Sequence, residues 1–139
     1  MTTVFVTGIF DLLHVEHMRF LKAAKATGDR LIVGIECDAR VKRLKGIIRP
    51  ICSQEERKEM LEALSVIDEV LILPEQFDTD EDYERILREV KPDVYAVSEN
   101  SPYLTNKRKI CEQCGIELRV VHPYNPEFST TKLIERIQQ

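Results

Sequence analysis

The sequence predicts an α/β protein built on one doubly wound sheet of five parallel strands. Short, β-branched-rich apolar runs recur at Val4–Val6, Leu31–Ile35, Val70–Leu73, Val94–Val97 and Leu118–Val121. Amphipathic segments of helical spacing separate them, which is the alternation a parallel sheet requires. The length of 139 residues and the 43% hydrophobic content, with 5 glycines and 6 prolines, suit one compact core. Residues 1–139 therefore read as a single Rossmann-like domain, without internal repeat or low-complexity tract.

The elements follow in order. Val4-Phe5-Val6 is a buried strand. From His14 to Thr27, Val15, Met18, Leu21 and Ala24 fall at helical spacing, and Gly28 marks the stop. After the second strand, Glu36 to Asp68 is the longest connection and the natural place for a substrate-gripping loop. Within it, Ser53-Gln54-Glu55-Glu56 is a capping-box pattern opening a helix that buries Met60, Leu61 and Leu64. Asp80 to Val90 is a helix with Tyr83, Ile86, Leu87 and Val90 on its inner stripe. Pro102 fits a first helical position after Ser101, and that helix ends at Gly115. The last of these five helices starts at Ser129 and buries Leu133, Ile134 and Ile137. Such a sheet binds ligands beyond the carboxyl ends of its strands, where the strand order switches.

Charge and cysteine content narrow the function classes. A net charge of −4 argues against a general nucleic-acid binder, so any positive site must be local. Met1-Thr2-Thr3 enters a strand with no basic and apolar leader, and no run approaches a membrane span. A cytoplasmic protein without nucleic-acid or membrane partners is the expectation. Cys111-x-x-Cys114 lies inside a predicted helix without a nearby histidine or a second pair, so helix packing is expected before zinc or redox chemistry. Cys37 and Cys52 flank the basic segment and are expected to pack.

The chemistry concentrates in three segments. Thr7-Gly8-Ile9-Phe10-Asp11-Leu12-Leu13-His14-Val15-Glu16-His17 runs from a strand end into a helix. Gly8 lets the backbone approach a ligand, and the helix presents free N–H groups to an anion, so Thr7, Gly8, Ile9, Phe10 and Asp11 form a phosphate-binding corner. His14 and His17 share one face of the first helical turn and address one ligand. Asp11 either accepts backbone hydrogen bonds or orients a magnesium-bound water. Arg40, Lys42, Arg43, Lys45 and Arg49 carry no acidic residue among them, a pattern of a solvated face or of a phosphate grip. Ser129, Thr130 and Thr131 place hydroxyls at a helix N-terminus, as an ordinary N-cap or a phosphate seat.

These segments resemble the cytidylyltransferase-like nucleotidyltransferases, whose G-x-F-D-x-x-H-x-G-H signature follows the first strand and whose last helix opens on a Ser-Thr-Thr run, here Phe128-Ser129-Thr130-Thr131-Lys132. Val41-Lys42-Arg43-Leu44-Lys45-Gly46, Arg49-Pro50 and Glu56-Arg57 are similar to the nucleotidyltransferase domain that makes ADP-heptose from a heptose 1-phosphate. Glycerol-3-phosphate cytidylyltransferase and archaeal FAD synthetase are similar over the same length. The resemblance implies transfer of AMP or CMP from ATP or CTP to a phosphorylated sugar or polyol, a heptose 1-phosphate-like acceptor being favoured, with release of pyrophosphate. It implies Mg²⁺ carried by the nucleotide phosphates, no metal ligands from protein side chains, and a possible homodimer. His14 and His17 would donate to the α- and β-phosphates, Lys42 and Lys45 would bind phosphate, and Ser98, Ser129, Thr130 and Thr131 would meet the nucleotide. Arg43 and Arg57 would grip the acceptor, although Arg57 could equally form an exposed ion pair with Glu55 or Glu56.

Three departures bear on specificity. Glu16 replaces the glycine between the histidines, and a carboxylate about 5 Å from a phosphate charge would oppose binding by roughly 3 kcal/mol at an effective dielectric of 20. About 200° separates Glu16 from His14 around the helix, so Glu16 can instead face the ribose or base. Val97-Ser98-Glu99-Asn100 stands where relatives often carry a glycine-containing turn. Tyr124-Asn125-Pro126-Glu127 stands where glycerol-phosphate enzymes have an arginine, which weighs against glycerol 3-phosphate and leaves the base open. The alternatives are a nucleotide-binding module of the same fold that has lost catalysis, and an FAD synthetase-like adenylyltransferase.

Overall fold

A computed structural model describes all 139 residues. The strands are β1 (Thr3–Gly8), β2 (Arg30–Ile35), β3 (Glu69–Ile72), β4 (Val94–Ser98) and β5 (Glu117–His122). The helices are α1 (Val15–Lys25), α2 (Asp38–Lys45), α3 (Gln54–Glu62), α4 (Asp80–Val90), α5 (Leu104–Cys114) and α6 (Thr130–Gln138). All strand pairs are parallel and the order is β3-β2-β1-β4-β5, as expected of a doubly wound sheet. The order reverses between β1 and β4, and that is where a crevice opens.

Strand alternation divides the core in two. Val4 and Val6, Leu31, Val33 and Ile35, and Val94 and Ala96 face one side with Leu21 and Ala24 of α1 and Leu61 of α3. Phe5, Ile32, Tyr95 and Val97 face the other with Tyr83 and Leu87 of α4 and Ile110 and Cys111 of α5. The period of two along a strand buried on both faces accounts for the near-continuous apolar runs. Register aligns Val4 with Leu31 on one side and with Val94 on the other, so β1 lies central and its carboxyl end is flanked by β2 and β4.

Several local expectations are corrected. The basic segment is a helix, α2, rather than a loop, and it buries Val41 and Arg40. Gly28 is not the residue that closes α1, because Ala26 occupies the C-cap. The glycine is needed because a Cβ there would lie 2.8 Å from the Thr2 carbonyl oxygen. Past the start of α3, Leu61 is buried and Leu64 packs against the core as expected, whereas Met60 is exposed. Pro102 precedes α5 in a turn, and Tyr103 caps the helix in the left-handed region at φ 57°. No residue of α6 is fully buried, and Ile137 is 73% exposed, because this helix lies at the chain end with little covering its far turn. The Ser53–Glu56 capping box forms in both directions, and Gly115 ends α5.

Candidate active site

The loop from β1 to α1 is held by a buried carboxylate. Asp11 is wholly buried; its Oδ2 accepts from the Ile51 N–H at 2.7 Å and its Oδ1 from the Cys52 N–H at 3.0 Å. Arg49 Nε lies 3.6 Å from Oδ2. With each oxygen accepting a backbone N–H and the side chain wholly buried, Asp11 anchors the loop. Phe10 and Leu12 on either side sit at φ 52° and 49°, a left-handed conformation that bulky residues adopt only when their surroundings impose it. Phe10 turns into the core against Phe20 and His17. Its ring passes so close to Gly8 that a Cβ there would lie 2.8 Å from Phe10 Cε2, so the glycine serves the turn of the loop itself.

The loop delivers two histidines to the helix start. His14 is the N-cap of α1, its backbone N–H donates to His17 Nδ1 at 3.3 Å, and the rings stack with centroids 3.8 Å apart. Burial, and then the neighbouring His14, push His17 down to about 3; burial also lowers His14, opposed by Glu16. His17 is thus a neutral imidazole whose Nδ1 accepts, which places its proton on Nε2. Both ring nitrogens of His14 are buried without a protein partner. An orphaned polar pair of this kind is costly unless a ligand satisfies it.

The chain's far end closes on this corner. Ser129 caps α6, its Oγ accepting from the Lys132 N–H at 3.1 Å and keeping its own O–H free to donate. The Thr130 hydroxyl donates to the Asp11 carbonyl at 2.8 Å, tying α6 to the β1–α1 loop. What Thr130 offers an anion is therefore its backbone N–H. Thr131 Oγ1 lies 3.4 Å from an Arg49 guanidinium nitrogen instead. His14, His17, Ser129 and Thr130 line a cavity of about 270 Å³, whose opposite wall includes Ser98, Asn100 and His122. A second cavity, of about 440 Å³, is lined by Thr7, Gly8, Ile9, Lys45, Glu36 and Lys107 among others. Ser98 and Asn100 border both, so the two spaces meet at the carboxyl end of β4.

Glu16 sits inside the first cavity wall. Its Oε2 is 2.6 Å from His122 Nε2, and its Oε1 accepts from Asn125 at 3.2 Å and from Arg19 at 2.7 Å. The hydrogen bond to His122 above all holds its carboxyl down to about 2. It is an ionised group engaged on three sides, turned toward the β5–α6 connection.

Arg57 requires a correction. Its side chain is fully buried and donates to the carbonyls of Ile9, Glu36 and Cys52 at 2.8, 2.8 and 3.1 Å and to Asp38 Oδ1 at 2.8 Å. With these donors engaged inside, it neither grips an acceptor nor pairs with Glu55 or Glu56. Arg43 likewise donates to the Glu75 carbonyl at 2.6 Å and faces Asp78, because α2 turns it outward. Lys42 is exposed and lines neither cavity, whereas Lys45 lines the larger. No three His, Cys, Asp or Glu side chains converge to hold a metal ion. Burial pushes the Cys111 thiol up to about 11, consistent with its packing in the core.

The sequence reading named Arg40 only within the basic run and gave no role to Glu36, Lys107, His122 or Asn125. One signal was present: Leu104, Lys107, Ile110, Cys111 and Cys114 fall at helical spacing, which places a lysine on an apolar stripe.

The cytidylyltransferase-like family model matches residues 5–136. The chain belongs to the cytidylyltransferase-like family. By class it is a nucleotidyltransferase. It is 40% identical over 136 residues to the bifunctional protein HldE of Helicobacter pylori (strain Shi470), covering 98% of this chain and 27% of that protein. It is 40% identical over 139 residues to the bifunctional protein HldE of Pseudomonas aeruginosa (strain LESB58), covering 98% and 28%. The chain thus spans about a quarter of the length of these curated relatives. Among solved structures, the lipopolysaccharide core biosynthesis protein from Thermoplasma volcanium GSS1 matches with a TM-score of 0.73 at 27% identity, over 90% of this chain and 99% of that one. Pantothenate synthetase from Thermus thermophilus matches with a TM-score of 0.63 at 16% identity over 90% and 56%, a likeness of fold alone. No helix is long and apolar enough to cross a membrane.

Proposed function

We propose that this member of the cytidylyltransferase-like family transfers AMP or CMP from ATP or CTP to a phosphorylated sugar, a heptose 1-phosphate-like acceptor being favoured. The triphosphate occupies the smaller cavity and the acceptor the larger. An acceptor phosphate oxygen attacks the α-phosphorus, the bond to the β-phosphate oxygen breaks, and pyrophosphate leaves. A phosphate monoester is ionised near neutral pH, so no general base is needed, and the protein's task is to position groups and stabilise charge. His14 and His17 donate to non-bridging oxygens as charge builds, while the Ser129 hydroxyl and the first N–H groups of α6 receive the departing phosphates. Lys45 faces the acceptor's side of the reacting phosphates. The triphosphate enters as its magnesium complex.

The observation that carries this reading is the pair of unpartnered, buried His14 nitrogens in the wall of a cavity that also holds Ser129 and Thr130. The test is pyrophosphate release from each of ATP, CTP, GTP and UTP against heptose 1-phosphate, glycerol 3-phosphate and FMN. Release with ATP or CTP and the sugar phosphate is expected. Silence across the panel from folded protein that still binds a triphosphate would favour a non-catalytic nucleotide-binding module, and preference for FMN would favour an FAD synthetase-like enzyme.

A further inference from the structure

The larger cavity contains charge that phosphate chemistry alone does not require. Lys107 on α5 is 5% exposed and occupies a position where the helix stripe is otherwise apolar. An ammonium has three N–H donors. Ser101 Oγ takes one at 2.8 Å. No carboxylate forms an ion pair with Lys107, and the ring faces of Tyr83 and Tyr95 stand 5.6 and 5.9 Å from Nζ. Glu36, just past β2 and equally buried, meets Arg40 Nε at 2.7 Å through Oε2. Arg40 is also paired with Asp78, so its charge is answered within the protein. Lys107 is the buried cation of this cavity left with donors unspent, Lys45 being exposed.

An unpaired buried ammonium is costly to fold around and is retained where a ligand completes it. Glu36 and Lys107 together offer an acceptor and a donor within one cavity whose near wall is Thr7–Ile9 at the transfer corner. A hydroxyl both donates and accepts, so neighbouring hydroxyls satisfy a carboxylate and an ammonium at once, and the tyrosine rings suit the C–H face between them. We propose that Lys107 and Glu36 read the hydroxyl groups of the acceptor and select polyhydroxylated sugar phosphates over smaller polyol phosphates. This rests on the nucleotidyl-transfer reading and adds to it which groups judge the acceptor. A site built to bond a hydroxyl rejects analogues lacking it, because its own buried groups are then left unpaired.

The test compares the wild type with Lys107→Met, which keeps most of the unbranched side chain and removes its charge, and Glu36→Gln, measuring pyrophosphate release with heptose 1-phosphate and with glycerol 3-phosphate. In both variants the KM for the sugar phosphate is expected to rise about 10-fold or more, with the triphosphate KM within about 2-fold, and preference for the sugar over glycerol 3-phosphate is expected to shrink. The Tm of Lys107→Met is expected to equal or exceed that of the wild type. Burial holds Lys107 down to about 8, against the opposing influence of Glu36 and Cys111; Arg40, Tyr83 and Tyr95 complete its surroundings. The wild-type KM for the sugar phosphate therefore rises as pH passes above 8, where the ammonium loses its proton, and the Lys107→Met profile is flat there. A sugar phosphate KM unmoved by either variant overturns the proposal while nucleotidyl transfer stands. A lowered Tm with both KM values rising together assigns Lys107 a structural role and also overturns it. Absence of turnover in the wild type with every acceptor removes both readings together.

Discussion

Glu16 stands between two histidines that would serve a polyanion, and its surroundings decide what that carboxylate does. His122, Asn125 and Arg19 engage it, so it fastens the start of α1 to the β5–α6 connection that walls the smaller cavity. Glu16→Gly releases this fastening, and loss of about 1 kcal/mol of net hydrogen bonding raises the triphosphate KM about 5-fold, with kcat within about 2-fold. Steady-state kinetics at varied triphosphate checks it; a lowered KM would mean that charge repulsion dominates instead. At this scale the sequence was uneven. The histidines, Asp11 and the Ser-Thr-Thr run were legible because each belongs to a local pattern. Glu16's partners were not, since His122 and Asn125 lie more than a hundred residues away and reach it only through strand order. Lys107 was concealed differently: its helical spacing was visible, but a lysine among apolar residues reads as exposed until a cavity is found beside it.

Elements place these residues through a small number of buried ties. Arg57 of α3 joins the β1–α1 loop at Ile9, the end of β2 at Glu36 and the start of α2 at Asp38. Arg57→Met leaves these carbonyls and the Asp38 carboxylate without their donor, and an expected loss of about 3–5 kcal/mol shows in urea unfolding. Lysine cannot replace the planar fork that reaches several acceptors, so Arg57→Lys recovers only part of it. A change below about 1 kcal/mol would make Arg57 an ordinary surface ion pair, which its burial contradicts. Helix existence was legible wherever an apolar stripe ran for three turns. It failed for α2, whose eight residues bury only Arg40 and Val41, so the segment resembles a charged loop. The inner stripe of α6 was overread, because periodicity identifies an apolar face without saying whether another element covers it.

The whole molecule is one sheet whose order reverses beside β1, and the two cavities open at that reversal. The arrangement was legible because the apolar runs of β1, β2 and β4, buried on both faces, are hard to mistake, and parallel strands with helical crossovers allow few other topologies. The division of the crevice into two cavities was not legible, since it depends on how α2, α4 and α5 stand around the carboxyl ends of β2 and β4. On the proposed function, that division lets His14 and His17 act on the triphosphate in one space while the acceptor enters from the other. The most direct measurement is the steady-state kinetics of His14→Asn at varied triphosphate. If His14 donates mainly to charge developing in transfer, kcat falls about 10²–10³-fold while the triphosphate KM stays within about 3-fold. A kcat within about 3-fold of the wild type would rule this role out, because the unpartnered nitrogens of His14 would then have no part in the reaction.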